Sequence, residues 1–464
     1  MFKEGFMRPV ISGFALAVAL MAPSVHAETT DTAKIDAAVR AALSVSETPS
    51  ASVAVVRDGQ IVFAKAYGDA VAGAKPVKAT AATRYQIASV SKEFTAAAIL
   101  LLLQDGKLSL DDKVGKWLPE LNLTSANDIT VRQVLAHTSG YSDFWPQDYV
   151  MKTMTVSITP AEVAKRFAGA PLDYAPGTDW QYSNTGYIVA GLIVEKASGQ
   201  PLFDFVRERI LKPVGITDAV DVSSVDLKAP DALGYERIAL GPDRLTLKSG
   251  HGWMFGDAYL GLTASDVAKW DISVMKRSLF KPETYDTQVT TVKLNNGKDT
   301  GYAMGLFISK PNGHTLIEHT GEGAGYLSEN RIYPDDKFAV VVLTNTMSGR
   351  AFLDVADRVT AVFLPPQGQD AGVLQVLEDL RAGKADRDKF TDNLNGYLSD
   401  QAVGDIKSSL GGLGAASGFR VTGSELRGGM TFKSYSVRLG AKPFRITVYI
   451  TKDGKLEQFL VSAA

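Results

Sequence analysis

The chain has 464 residues, 45% of them apolar and 22% charged, with a formal net charge of −2. This is the composition of a soluble globular protein with room for one large domain and a smaller one, and a core of that size needs no disulfide or metal staple. The near-neutral balance offers no footprint for a nucleic acid or an anionic membrane, and the lack of cysteine removes thiol nucleophiles, disulfides and Cys-based zinc sites.

Residues 1–27 read as a secretory signal. Lys3 and Arg8 give a positive start, and Val10 to Met21 is mostly apolar but too short to span a bilayer. Pro23 breaks that stretch, and Val25-His26-Ala27 fits a cleavage site before Glu28. No cysteine follows to carry a lipid. The expectation is a periplasmic or secreted protein with no membrane span once the signal is removed.

Asp31 to Leu43 places Ile35, Ala38, Val39 and Leu43 on one face, the pattern of an amphipathic helix. Ala51 to Arg57 and Gln60 to Tyr67 are β-rich runs joined by Asp58-Gly59, a strong hairpin signal. Ser89 opens a segment, Phe94 to Leu103, that is apolar all round and ends at Asp105-Gly106. A helix without a polar face must be buried. The region from about residue 110 to 275 reads as helices and loops, with a helix at Gly186 to Ala197 after the Pro176-Gly177 turn.

Strands return at Tyr302 to Ser309, Thr315 to His319, Tyr326 to Tyr333 and Phe338 to Leu343, followed by a helix at Phe352 to Phe363. Strands at both ends with helices between predict one antiparallel sheet built from the two ends and a helical insertion, with a cleft between them. Pro365 to Asp370 reads as a linker. Beyond it, two helical patterns precede three strands: Phe419 to Thr422 running into Met430 to Leu439, then Phe444 to Thr451, then Lys455 to Val461. The division is therefore a signal at 1–27, a main domain at 28–365 and a small α+β domain at 371–464.

Three stretches carry candidate chemistry. In Ser89-Val90-Ser91-Lys92, residues three apart share a helix face, so Lys92 reaches the Ser89 hydroxyl. A serine needs an adjacent base, and a lysine serves as one only when burial or a neighbouring cation lowers its pKa. The spacing alone is common, and Ser273 to Lys276 repeats it. Tyr182-Ser183-Asn184 follows a Pro-Gly turn and precedes a helix, which places a proton-shuttling phenol and an amide-recognising Asn in a loop. His319-Thr320-Gly321 sits at a strand end leading into Glu322-Gly323-Ala324-Gly325, where glycines permit close approach of a substrate. His137, in His-Thr-Ser-Gly, reads as a turn residue, and Trp253, Met254 and Phe255 as core or as an acyl-pocket lining. No H-E-x-x-H or G-x-S-x-G stretch is present, so neither a zinc protease nor an α/β-hydrolase elbow is indicated.

S-x-x-K, then Y-x-N, then a His- or Lys-x-Gly triplet resembles the serine β-lactamase and penicillin-binding protein family, in its class C β-lactamase, esterase and D-aminopeptidase branch. Tyr85 to Lys92, Gly106 to Asp112, Val134 to Gly140 and Gly261 to Asp266 are also similar to that branch. The resemblance covers roughly residues 30 to 363. It implies a β-lactamase-like α/β (α+β) fold, an antiparallel sheet flanked by helices with a helical subdomain, and no cofactor or metal. It further implies a Ser89 nucleophile acylated by substrate, a Lys92–Tyr182 base system, and an oxyanion hole of the Ser89 and Glu322 N–H groups. Asn184, His319, Gly321 and Glu322 would contact a small-molecule or peptide substrate.

The branch's β-lactamases usually carry Lys-Thr-Gly where this chain has His319-Thr320-Gly321. A mostly neutral histidine is a poor holder of a carboxylate. The expectation shifts toward esters, D-aminopeptidase or D-alanyl carboxypeptidase substrates and away from β-lactams, with Glu322 favouring a substrate amino group. A class C-like β-lactamase and a catalytically weak binding or regulatory protein are the alternatives. The sequence leaves the oligomeric state open.

Overall fold

The computed structural model describes residues 25–147 and 149–464. Most of the expected signal segment, residues 1–24, lies outside the described residues. A helix at Val25–Leu43 spans the expected cleavage point and continues through the amphipathic stretch.

The main sheet has seven strands. Its centre joins the two ends of the domain: Ser50–Arg57 pairs antiparallel with Phe338–Thr344, Val53 opposite Val342. Gln60–Val71 flanks it through a two-residue turn in which Asp58 and Gly59 both have positive φ, 49° and 75°. Such a turn matches the strands' twist. On the other side come Tyr326–Tyr333, Leu316–Gly323 and Phe307–Ser309. This is the antiparallel sheet expected from strands at both ends of the domain.

Both faces of the sheet are covered, which is why its central strands are near-continuous apolar runs. On one face, Ile35 and Val39 of the first helix and Val355 and Val359 of Ala351–Phe363 pack on Val53, Val55, Val340 and Val342. On the other, Ala54, Val56, Val341 and Leu343 meet the large helical core containing Phe94, Leu100 and Trp270. The all-round apolar helix, Ser91–Gln104, runs through that core with every residue from Ser91 to Leu102 buried.

Three local expectations change. The strand expected from Tyr302 begins at Phe307, because Gly305 turns the chain at φ 79°. The strand expected to end at His319 continues to Gly323, so the glycines there are paired backbone. In the C-terminal region the chain makes four strands, not three: Ala416–Arg427, Met430–Leu439, Lys442–Ile450 and Leu456–Ala463. The first is glycine-interrupted and largely polar, with weak alternation, and Gly428-Gly429 turns it back at φ 60° and 77°. This sheet shares a separate core with the helix Gly368–Arg381, through Val376, Leu377 and Leu380 against Tyr435, Val437 and Ile446.

Leu316–Gly323 lies against the turn that presents Ser89. A Cβ on Gly321 would overlap the Ile87 carbonyl oxygen and the Ser328 Oγ, and one on Gly323 would stand 3.0 Å from the Ala88 Cβ. Ala88 itself is left-handed at φ 47°, an uncommon conformation for a residue with a side chain. Gly321→Ala is therefore expected to destabilise the protein by about 1–3 kcal/mol through overpacking, seen as a lower urea midpoint. A wild-type midpoint would contradict this close packing.

Candidate active site

Ser89 sits in a short 3₁₀ turn, Ala88–Val90, that feeds directly into the buried helix. Lys92, one turn on, is fully buried. Its Nζ lies 3.0 Å from Ser89 Oγ, 2.7 Å from Asn184 Oδ1 and 3.1 Å from the Asp257 carbonyl oxygen. Burial pulls its ammonium down to about 8, against the opposing pull of the Asp257 and Asp143 carboxyl groups. Two of its three partners are carbonyls, which only accept. In the neutral amine the two N–H bonds are taken by those carbonyls, and the lone pair is left to face Ser89 Oγ, the one partner that can donate.

Asn184 caps this arrangement. Its Nδ2 donates to Asp143 Oδ2 at 3.1 Å and its backbone N–H to Asp143 Oδ1 at 3.1 Å, which turns Oδ1 toward Lys92. Burial raises the Asp143 carboxyl above its usual range. The Asp257 carboxyl is likewise pushed up by burial and accepts the Phe255 N–H at 3.1 Å.

Tyr182 lines the same cavity as Ser89, and its ring centroid lies 4.9 Å from Lys92 Nζ. Burial holds the phenol well above its ordinary pKa. Desolvation thus outweighs any help from the neighbouring Lys92, and Tyr182 rests as a neutral hydroxyl. It can donate a proton and accept one in return.

The loop carrying Tyr182 is held by His137. His137 is left-handed at φ 60°, and its carbonyl receives the Gln181 N–H at 3.1 Å and the Tyr174 hydroxyl at 2.8 Å. Its Nδ1 accepts the Ser183 N–H at 3.1 Å, and its ring packs on Tyr182 with centroids 4.3 Å apart. Burial keeps the imidazole neutral. This is the turn role expected of it.

His319 is placed differently from the rest. It is buried, with Nδ1 at 2.6 Å from the Thr320 carbonyl and Nε2 at 3.1 Å from the Tyr302 hydroxyl. The carbonyl demands a proton on Nδ1, so Nε2 accepts from Tyr302. Burial, with Lys92 nearby, lowers its pKa to about 3. It does not line the cavity over Ser89 but backs Tyr182 at 6.1 Å between ring centroids. Gly321 faces inward against Ile87, while Glu322 points out and lines the cavity.

That cavity has a volume of about 190 Å³ and is walled by Ser89, Tyr182 and Asn184, by Asp143 and Asp257, and by Trp145, Met254, Glu322 and Met347. Met254 is the member of the Trp253–Phe255 run that faces it. Trp253 packs on Phe144 and Phe255 against Gly191, as core. The second S-x-x-K, Ser273 to Lys276, lies elsewhere, its lysine against Gly59 in the first hairpin. Sequence alone does not mark Asp143 and Asp257, although each stands a few residues from a stretch similar to the family, Val134 to Gly140 and Gly261 to Asp266.

The family model described as Beta-lactamase matches residues 35–363. Protein flp of Staphylococcus aureus (strain MRSA252) is 31% identical over 326 residues, covering 68% of this chain and 63% of its own length. The chain thus spans less than two thirds of that relative. The crystal structure of a penicillin binding protein from Bacillus halodurans shares 26% identity at a TM-score of 0.62, over 70% of this chain and 99% of its own. A D-stereospecific amidohydrolase from Streptomyces sp. shares the fold at a TM-score of 0.60 and 24% identity, over 72% of this chain and 98% of its own. The chain belongs to the Beta-lactamase family of serine hydrolases.

Proposed function

We propose that the chain is an exported hydrolase that cleaves esters or amides through an acyl-enzyme on Ser89. The observation that carries this reading is the Lys92 amine, desolvated and held by two carbonyls so that its lone pair faces Ser89 Oγ. Export is supported by the charged start, apolar run and small-residue site within residues 1–27.

In the first step, neutral Lys92 takes the Ser89 proton as Oγ bonds to the substrate's carbonyl carbon. The oxyanion is met by the Ser89 and Glu322 N–H groups, at the point where Leu316–Gly323 abuts the nucleophile turn. The carbon–oxygen or carbon–nitrogen bond then breaks. The departing alcohol or amine takes a proton from Tyr182, which is refilled from Lys92. A water next adds to the acyl carbon, returns its proton by the same route, and leaves Ser89 free. One water is consumed, and an acid plus an alcohol or amine is released.

The charges around the cavity bear on the substrate. Among the described residues, its lining carries Asp143, Asp257 and Glu322 but no Lys, Arg or His. A substrate with a free amine or no charge is favoured there over one with a carboxylate beside the scissile bond. This supports an esterase or D-aminopeptidase type over a β-lactamase or a D-alanyl carboxypeptidase. The likeness to a D-stereospecific amidohydrolase points the same way.

A fluorophosphonate should label the protein on Ser89, and the label should vanish in Ser89→Ala. Lys92→Ala and Tyr182→Phe should each lower kcat/KM for a p-nitrophenyl ester by about 10²–10⁴-fold with the fold intact. An unlabelled wild type would instead favour a binding or regulatory role.

Because the active form of Lys92 is the neutral amine, kcat/KM should fall about tenfold per pH unit below about 8 and level off above it. A profile flat between pH 6 and 8 would remove Lys92 from the base role.

A further inference from the structure

The four-stranded C-terminal sheet meets the seven-stranded sheet and the helix Ala351–Phe363 along a seam, and the seam holds a cavity of about 180 Å³. One wall comes from Leu316–Gly323, Tyr326–Tyr333 and that helix, the other from the start of Ala416–Arg427. Gly418 brings the latter strand against the helix, where a Cβ would stand 2.7 Å from Asp357 Oδ2. The Arg438–Asp354 ion pair, at 3.4 Å, ties the two walls together. The cavity opens on the face of Leu316–Gly323 turned away from Ser89. Leu316 packs with the core of the first helix, whereas Ile317 belongs to the core of Phe94.

Leu316, Leu364, Leu374 and Phe419 give the cavity an apolar body. Beside them, three carboxyl groups share one guanidinium. Arg331 Nε lies 2.6 Å from Glu329 and its Nη1 lies 2.7 Å from Asp357, while Glu318 stands 3.6 Å from Nε. Glu318 is therefore the carboxyl that Arg331 neutralises least, and it lines the cavity. Burial raises its pKa above the usual carboxylate range. A desolvated carboxylate in this position gains from a further cation that donates hydrogen bonds. Across the cavity stands Arg420, on the opposite strand and exposed to solvent.

We propose that the seam cavity binds a free amino acid with an apolar side chain, its ammonium group on Glu318 and its carboxylate on Arg420. Each part of such a ligand has its complement: an under-neutralised carboxylate, an exposed guanidinium and a hydrocarbon wall. A simple amine leaves Arg420 unused, and a simple carboxylate meets Glu318 with the wrong sign. Apolar walls with a few charged groups, placed where two cores meet, are the usual composition of a small-molecule site. A dry cavity of about 150 Å³ takes a benzene-sized molecule, so the volume here suits a side chain of leucine's size. It lies below the roughly 300–1,000 Å³ of pockets for drug-sized ligands, which argues against a peptide or a nucleotide. The site is separate from Ser89 and does not depend on the acyl-enzyme reading.

The test is isothermal titration calorimetry of the protein with D- and L-leucine, beside isoamylamine and 4-methylpentanoate, which lack the carboxylate and the amine respectively. At least one leucine enantiomer should bind saturably. Each analogue should bind about tenfold more weakly or worse, the loss expected from one charge-assisted hydrogen bond. Glu318→Gln and Arg420→Ala, with unfolding midpoints at the wild-type value, should each raise the leucine Kd by a similar factor. Should Glu318→Gln fail to fold, the exposed Arg420→Ala and the two analogues decide. No saturable leucine binding up to about 10 mM, a Kd unchanged in a folded variant, or an analogue that binds as well as leucine overturns the proposal. None of these outcomes touches the hydrolase reading, which the Ser89 label tests.

Discussion

The site depends on one buried amine. Lys92 lies inside an apolar helix, and its charged form is penalised by desolvation. Two acceptor-only carbonyls, from Asn184 and Asp257, use up the N–H bonds of the neutral form. Ser89 is the remaining neighbour, and it alone can reverse its role from acceptor to donor. Burial sets the pKa, and hydrogen-bond stoichiometry aims the lone pair. Asp143 holds Asn184 in the required orientation. Asp257 contributes its backbone, while its carboxyl is engaged by Phe255.

Around that centre the protein builds a rigid aromatic wall. His137, Tyr182, Tyr187, Tyr302 and His319 pack within a few ångströms of one another, and the imidazoles are neutral because they are buried. Neutral rings beside Lys92 matter electrostatically, since a protonated histidine there would compete for the same desolvated space. Tyr182 is consequently positioned by packing on one side and by the His137 turn on the other. The opposite wall is the edge of Leu316–Gly323, brought against the nucleophile turn by two inward-facing glycines.

Much of this is legible in the sequence because the determinants are local. Helical periodicity puts Lys92 under Ser89, and the Asp58-Gly59 and Pro176-Gly177 turns punctuate the elements that present the site. The Tyr182 stretch is legible from its place between a turn and a helix. The long-range terms are not. Asp143 and Asp257 read as ordinary loop carboxylates until folding brings them to Asn184 and Lys92. His319 reads as a substrate-facing residue at a strand end, but the strand continues, and its two-residue alternation sends His319 inward while Glu322 faces the cavity. That alternation was available in the sequence. What hid it was the run of glycines, which reads as the end of a strand and here permits close packing within one. The first C-terminal strand, Ala416–Arg427, is obscured in the same way, by glycine and polar residues in a paired segment.

The charge state of Lys92 decides whether this geometry is a catalytic base or a structural ion. An NMR titration of ¹³C-labelled lysine, with Lys92 assigned by comparison with Lys92→Ala, measures it directly. The account predicts an ε-carbon shift that titrates near pH 8, separated from the other lysines. A Lys92 that titrates with the solvent-exposed lysines, near ~10.4, would contradict it.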